Sequence, residues 1–294
     1  MSAEPVFLLL LILMSRPATG QDNAPTLCFD EVGGKIVSVP CPGNAAGAMP
    51  RKSAPVPVQD NGSSDPFQIR ERVARIATSE NEADGLVLFE DLVGWGARAV
   101  PGLVTVFEDE KIPYEHRWVA GRALGRIPGE ASVQALIRGL SDPVPMVRMA
   151  AATGLKDLGA RSALPALIAA LDDKAALVRA SALDAIGVLG TPSNAPRVAL
   201  ELTAPHNFIK GTGLFVRVHA VQALERLGGP QAIAALITVA DDPDPATREA
   251  ARSALLKLSG LSQVPPGEGS VVDRWTAWWA TRAPGPEAPS APTR

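Results

Sequence analysis

The chain has 294 residues, 46% of them hydrophobic and 20% charged, which is material for a sizeable core and excludes disorder throughout. A net charge of −3 and a pI near 5.7 exclude the concentrated basic surface of a nucleic-acid binder. Three histidines and two cysteines leave little for a metal cluster or a redox centre.

Val6 to Met14 (VFLLLLILM) is apolar but far too short to span a bilayer, which takes about 20 residues. It fits the core of a secretory signal over residues 1–20, with Ala18-Thr19-Gly20 as cleavage site and Gln21 as the first mature residue. The leader has no Lys or Arg ahead of the run, and Glu4 is acidic, so an uncleaved anchor is the alternative. Thr26-Leu27-Cys28 is a poor lipoprotein box, because Leu stands where a small residue is expected. The expected location is periplasmic or secreted, in a bacterial envelope, with no membrane span once the signal is removed. In the next segment, 21–45, Val32-Gly33-Gly34-Lys35-Ile36 predicts a tight hairpin flanked by Cys28 and Cys41. In an exported chain these cysteines imply one disulfide, stabilising by about 3 kcal/mol in the chain-entropy model. A catalytic thiol is the rival reading. Residues 46–65 and 283–294 are rich in Pro, Gly, Ser and Ala and read as a linker and a disordered tail.

The region 66–262 is dominated by a repeat. Arg117, Arg148, Arg179, Arg217 and Arg248 are spaced by 31, 31, 38 and 31 residues. Three positions after each stands Ala120, Ala151, Ala182, Ala220 or Ala251. Seven after stands Leu124, Leu155, Ile186, Leu224 or Leu255. Ten after, another aliphatic residue completes one face of a helix, and glycine follows as a stop. A second helix follows each of the first four, with apolar residues such as Leu136, Leu167, Val198 and Leu236. Such pairs bury both apolar faces only by stacking. Pro66 to Gly94 predicts a degenerate opening pair, with Phe67, Ile69, Val73, Ile76, Leu88, Phe89 and Leu92 inward. Trp275, Trp278 and Trp279 share one face of a last helix within 263–282, which caps the open end of the stack.

The stretch ALPALIAALDDKAALVRASALDAIGVLG (Ala163 to Gly190) resembles HEAT repeats, most closely the short HEAT-like repeats of the phycobilin-lyase type. The resemblance covers about residues 99–260 and implies an all-α solenoid of five to six helical pairs. It also implies an Asp–Arg ladder between neighbouring repeats. Asp142, Asp173 and Asp242 stand six residues before Arg148, Arg179 and Arg248, while Lys111 and Gly211 break the pattern.

Two stretches are candidates for binding. Helix positions one, five and eight after each arginine point away from the core face and form the concave groove of such a stack. They hold Trp118 and Arg122, then Met149, Thr153 and Lys156, then Asp184, Val218, Gln222, Glu225 and Glu249. Trp, Met and Arg suit an anchor for a protein segment; a solvated face is the bland alternative. The seven-residue insertion around Thr203–Gly213 offers His206, Asn207, Phe208 and Lys210, and is otherwise a tolerated surface loop. HExxH, GxxxxGK[ST], GxGxxG after a strand and GxSxG are all missing, so no metal and no cofactor are expected. The expectation is an exported, monomeric, non-catalytic scaffold for a protein partner. The family resemblance raises a chromophore lyase-like enzyme or enzyme subunit as the alternative.

Overall fold

The computed structural model describes the backbone of residues 27–32 and 35–40 and all of residues 65–283. The signal segment, the Cys28–Cys41 pairing, linker residues 46–64 and tail residues 284–294 lie outside the described residues. β1 (Leu27–Val32) and β2 (Lys35–Pro40) pair antiparallel, from Leu27 opposite Pro40 to Val32 opposite Lys35. Two residues separate that last pair, the loop length of the tightest hairpins. This hairpin lies in a unit of its own.

The remainder is an all-α solenoid. It opens with α1 (Pro66–Ala77) and α2 (Glu82–Gly94). Asp65 caps α1 by accepting from the Phe67 amide at 3.0 Å, and Pro66 occupies the first turn, where no intrahelical donor is needed. Ile69, Val73, Ile76, Phe89 and Leu92 are buried. Phe67, expected inward, is 72% exposed. It precedes Ile69 by two positions, about 200° around a helix, and cannot share its face.

The chain continues through α3 (Val100–Glu108), α4 (Tyr114–Leu124), α5 (Glu130–Gly139), α6 (Pro145–Asp157) and α7 (Leu164–Ala169). There follow α8 (Ala176–Leu189), α9 (Ala195–Ala199), α10 (Val216–Leu227), α11 (Gly229–Thr238), α12 (Pro245–Ser259) and α13 (Val271–Ala280). The arginine-bearing helices α4, α6, α8, α10 and α12 lie side by side in one layer. Each is backed by the helix that precedes it, α3, α5, α7, α9 or α11. The aligned alanines and aliphatic residues at offsets three and seven are all buried, because each face is shared by a partner helix and a neighbouring repeat.

Small residues let the long helices touch. A methyl group on Gly125 would lie 2.4 Å from Gly154 Cα, and one on Gly187 would lie 2.9 Å from Ala223 Cα. Burial therefore continues around α4, where every residue from Arg117 to Leu124 is enclosed. At the far end, α13 packs on α11 and buries Trp275 completely, with Trp278 and Trp279 half-buried against the same core. Ser270 and Asp273 form a capping box, and the Asp241 carboxylate accepts from the Val271 amide at 3.1 Å. Among the described residues no helix is long and apolar enough to cross a membrane.

Candidate functional site

Four of the recurring arginines, Arg117, Arg148, Arg179 and Arg217, are buried and point along the stack, while Arg248 in the last repeat is half-buried. Arg148 forms a bidentate pair with Asp173 of the next repeat, Nε to Oδ2 at 2.6 Å and Nη2 to Oδ1 at 2.8 Å. Arg217 reaches Asp242 through both Nη atoms, and Arg117 reaches Asp142 through Nη2 alone. Within its own repeat each arginine takes a backbone carbonyl instead: Arg148 that of Asp142 at 2.8 Å, Arg179 that of Asp173 at 2.8 Å, Arg248 that of Asp242 at 2.7 Å. The aspartates also accept the amide two residues on, at Val144, Ala175 and Asp244. One carboxylate thus fixes the turn into its helix and receives the preceding repeat, a register device as well as an ion pair. Burial pushes the Asp173 carboxyl up, but the bonds from Arg148 and the Ala175 amide outweigh it, and it titrates below the ordinary aspartate range.

The insertion restores this ladder where Gly211 breaks it. Arg179 donates to Asn207 Oδ1 from Nε at 3.0 Å and from Nη2 at 2.8 Å, and Nη2 also reaches the His206 carbonyl at 2.8 Å. Asn207 is fully buried, and its Nδ2 donates to the Glu201 carbonyl at 2.9 Å and to Glu201 Oε2 at 2.8 Å. Glu201 is itself buried and held by Arg197 at 2.7 Å and His206 at 3.1 Å. Phe208 lies under the Arg217 guanidinium, 4.6 Å from centroid to Cζ. β3 (Phe208–Ile209) and β4 (Thr212–Gly213) turn through Lys210 and Gly211, both at positive φ, as the favoured two-residue hairpin requires. Asn207 and Phe208 are therefore internal supports; of the four, only His206 and Lys210 are exposed.

The expected groove is displaced. Trp118, Arg122 and Met149 are at most 3% exposed, and Thr153 is also buried. Positions one and eight after the arginine average near 90° around the helix, which is where the next repeat packs rather than solvent. The uncovered strip lies about 80° further on, at positions two, five and nine. In the first two repeats this strip is sealed at positions two and five. Arg122 Nη1 donates to Asp157 Oδ2 at 2.8 Å, with both side chains buried. From α8 onward it opens: Asp184, Val188, His219, Gln222, Arg226, Ser253 and Lys257 all reach the surface. Lys156 of α6 is half-buried beside it.

This strip carries charge across repeats. Asp184 Oδ1 meets His219 Nδ1 at 2.9 Å and Arg226 Nη1 at 3.7 Å. Burial raises the Asp184 carboxyl, but His219, Lys156 and Arg226 together bring it below its ordinary value. Glu225 receives Lys257 Nζ at 2.7 Å. Between α10 and α12 is a hollow of about 290 Å³, lined by Gln222, Glu225, Arg226, Ser253 and Lys257 among others. His116 sits apart, half-buried near Arg70; burial first, with that cation, holds it below the usual histidine range against the pull of Glu115.

A family model for HEAT repeats matches residues 99–192 and 215–266. This is a HEAT-repeat protein. The gap between the two matched stretches contains the insertion, where the repeat's aspartate is replaced by Asn207. Solved structures similar to this HEAT-repeat protein include an engineered protein, 17% identical over 66% of this chain and 97% of its own, TM-score 0.42. The complex of CpcE and CpcF of phycocyanin lyase from Nostoc sp. PCC7120 is 20% identical over 81% and 99%, TM-score 0.42. Human deoxyhypusine hydroxylase is 23% identical over 66% and 88%, TM-score 0.33. No curated protein matches the chain.

The sequence reading missed two things in this HEAT-repeat protein. One is Glu201, an acidic residue in a helix that otherwise reads as apolar, which signals a buried carboxylate once Arg197 is seen four residues before it. The other is the Asp184–His219 contact, 35 residues apart, between position five of one long helix and position two of the next on the same outward strip.

Proposed function

We propose that this protein is an exported, monomeric scaffold without catalytic activity, and that it binds a protein partner on the open strip of α8, α10 and α12. The observation that supports this reading is the strip itself. Val188 and Phe215, 52% and 50% exposed, stand on it among engaged polar groups, on helices locked by the buried ladder. A rigid, preformed surface lowers the ordering cost of association, and exposed apolar side chains supply its anchors.

Photo-crosslinking tests the site. A photoreactive residue at Val188 should yield a discrete adduct in cells, whereas one at Leu200, exposed on the other layer, should not. Equal adducts from both positions, or none from Val188, would remove the strip as the interface. N-terminal sequencing of the mature chain tests export: a start at Gln21 in the envelope fraction supports it, and an intact Met1 in the cytosol refutes it.

A further inference from the structure

The open strip has a sign, and it comes from depth rather than from composition. Its carboxylates are recessed and engaged. The Asp184 and Glu225 side chains are 27% and 26% exposed and face His219, Arg226 and Lys257. Its cations project. The Arg226 and Lys257 side chains are 45% and 63% exposed. Arg226 meets Asp184 only at 3.7 Å, beyond hydrogen-bond length, and Lys257 spends one of its three donors on Glu225. A ligand approaching this face therefore meets unspent N–H donors first, with Ser253 and Gln222 between them in the hollow. Glu249, 68% exposed on the side chain, stands one position after the arginine of α12, on the flank of the strip, and lies within 3.9 Å of Arg252.

We infer that the strip from α8 to α12 captures an extended, acidic segment of a protein, with a carboxylate seated between Arg226 and Lys257. This rests on the partner-binding reading above and supplies its chemistry. Neighbouring helices lie about 8–10 Å apart, so crossing three of them takes about 20 Å, or roughly six residues of extended chain. Val188 and Phe215 lie on the same strip and take the segment's apolar side chains. A guanidinium and an ammonium together hold a carboxylate through charge-assisted bonds, which are shorter and stronger than neutral ones.

Fluorescence anisotropy with the full mature chain and a fluorescein-labelled (Gly-Glu-Ala)5 peptide tests the inference, with (Gly-Gln-Ala)5 as its neutral twin. The acidic peptide should bind at least tenfold more tightly than the neutral one, and more weakly as salt rises. Arg226→Gln with Lys257→Gln should cost at least tenfold, while Arg138→Gln on the second layer should leave binding unchanged. Glu225→Gln, which frees Lys257, should tighten it. Equal affinity for the two peptides, no binding of the acidic one, or indifference to the double variant would each overturn the acidic assignment. A Val188 adduct that persists in the double variant would show that the partner site survives while its proposed chemistry fails.

Discussion

Asn207→Asp is the substitution that most directly tests how the insertion works. At three other junctions an aspartate receives the arginine of the preceding repeat. A simple ladder rule therefore predicts that aspartate at 207 would stabilise. The structure predicts the reverse. Asn207 accepts twice from Arg179, and its amide donates twice to buried Glu201. Aspartate would keep the acceptors, lose both donors and set a carboxylate about 2.8 Å from Glu201 Oε2. At an effective dielectric of about 20, the new repulsion is about 6 kcal/mol, and the new attraction to Arg179 is of similar size. These nearly cancel, which leaves two buried acceptors without their donors, at about 1–2 kcal/mol each. The expected loss is thus about 2–4 kcal/mol at neutral pH. It should shrink as pH falls, because two adjacent buried carboxyls cannot both stay ionised once one can take up a proton. In an array each repeat touches only its neighbours, so the loss should concentrate between α8 and α10. Urea unfolding gives the total, and amide exchange locates it. Adding Glu201→Gln, whose amide can donate to the new aspartate, should recover part of the loss. An Asn207→Asp protein as stable as the parent would refute the assignment of Glu201 as the reason for an amide here.

Gly125→Ala should destabilise by about 1–3 kcal/mol although alanine favours helix, because its methyl meets the Gly154 backbone; a raised urea midpoint would refute the close crossing. Trp118→Ala should cost about 3–5 kcal/mol through the cavity it leaves, and a change confined to partner affinity would contradict its burial. Asp173 has its pKa lowered in the folded chain, so its contribution is present above its unfolded value near 4 and is lost as pH falls through the lower folded value. Asp173→Asn should therefore flatten the fall in stability below about pH 4, as measured by thermal unfolding across a pH series, and an unaltered acid limb would sink this account.

The repeat was legible because its signal is a sum. Five arginines, five alanines and five aliphatic residues at fixed offsets specify a helix face and a period together, and burial at those offsets follows. The groove was misplaced because a period reveals which residues are equivalent but not which neighbour they meet. Trp118 and Met149 share an offset and a polar strip nearby, and sequence alone gives no direction for the next helix. The small residues Gly121, Gly125, Gly154 and Gly187 were the missed cue, since glycine inside a helix marks close approach of another backbone. Asn207 was misread for a related reason. An amide in an inserted loop looks like a recognition group until the absence of aspartate at Gly211 is counted as a need that something else must meet.

The same reasoning explains why the stack is closed at one end of its exposed strip and open at the other. At the position two after the arginine, Val119, Ala150 and Ser181 are buried, while His219 and Ala250 reach the surface. At the position five after, Arg122 lies under Asp157, while Gln222 is free of any neighbour's cover. The closed repeats meet glycine to glycine, Gly125 against Gly154 with Gly121 against Ala150, whereas α8 meets α10 through the larger pair Gly187 and Ala223. The fourth repeat enters through the hairpin, with Phe208 under Arg217, and its long helix begins at Phe215 in solvent. Replacing Gly187, whose added methyl would meet Ala223, should therefore loosen the open half without exposing Trp118 in the closed half.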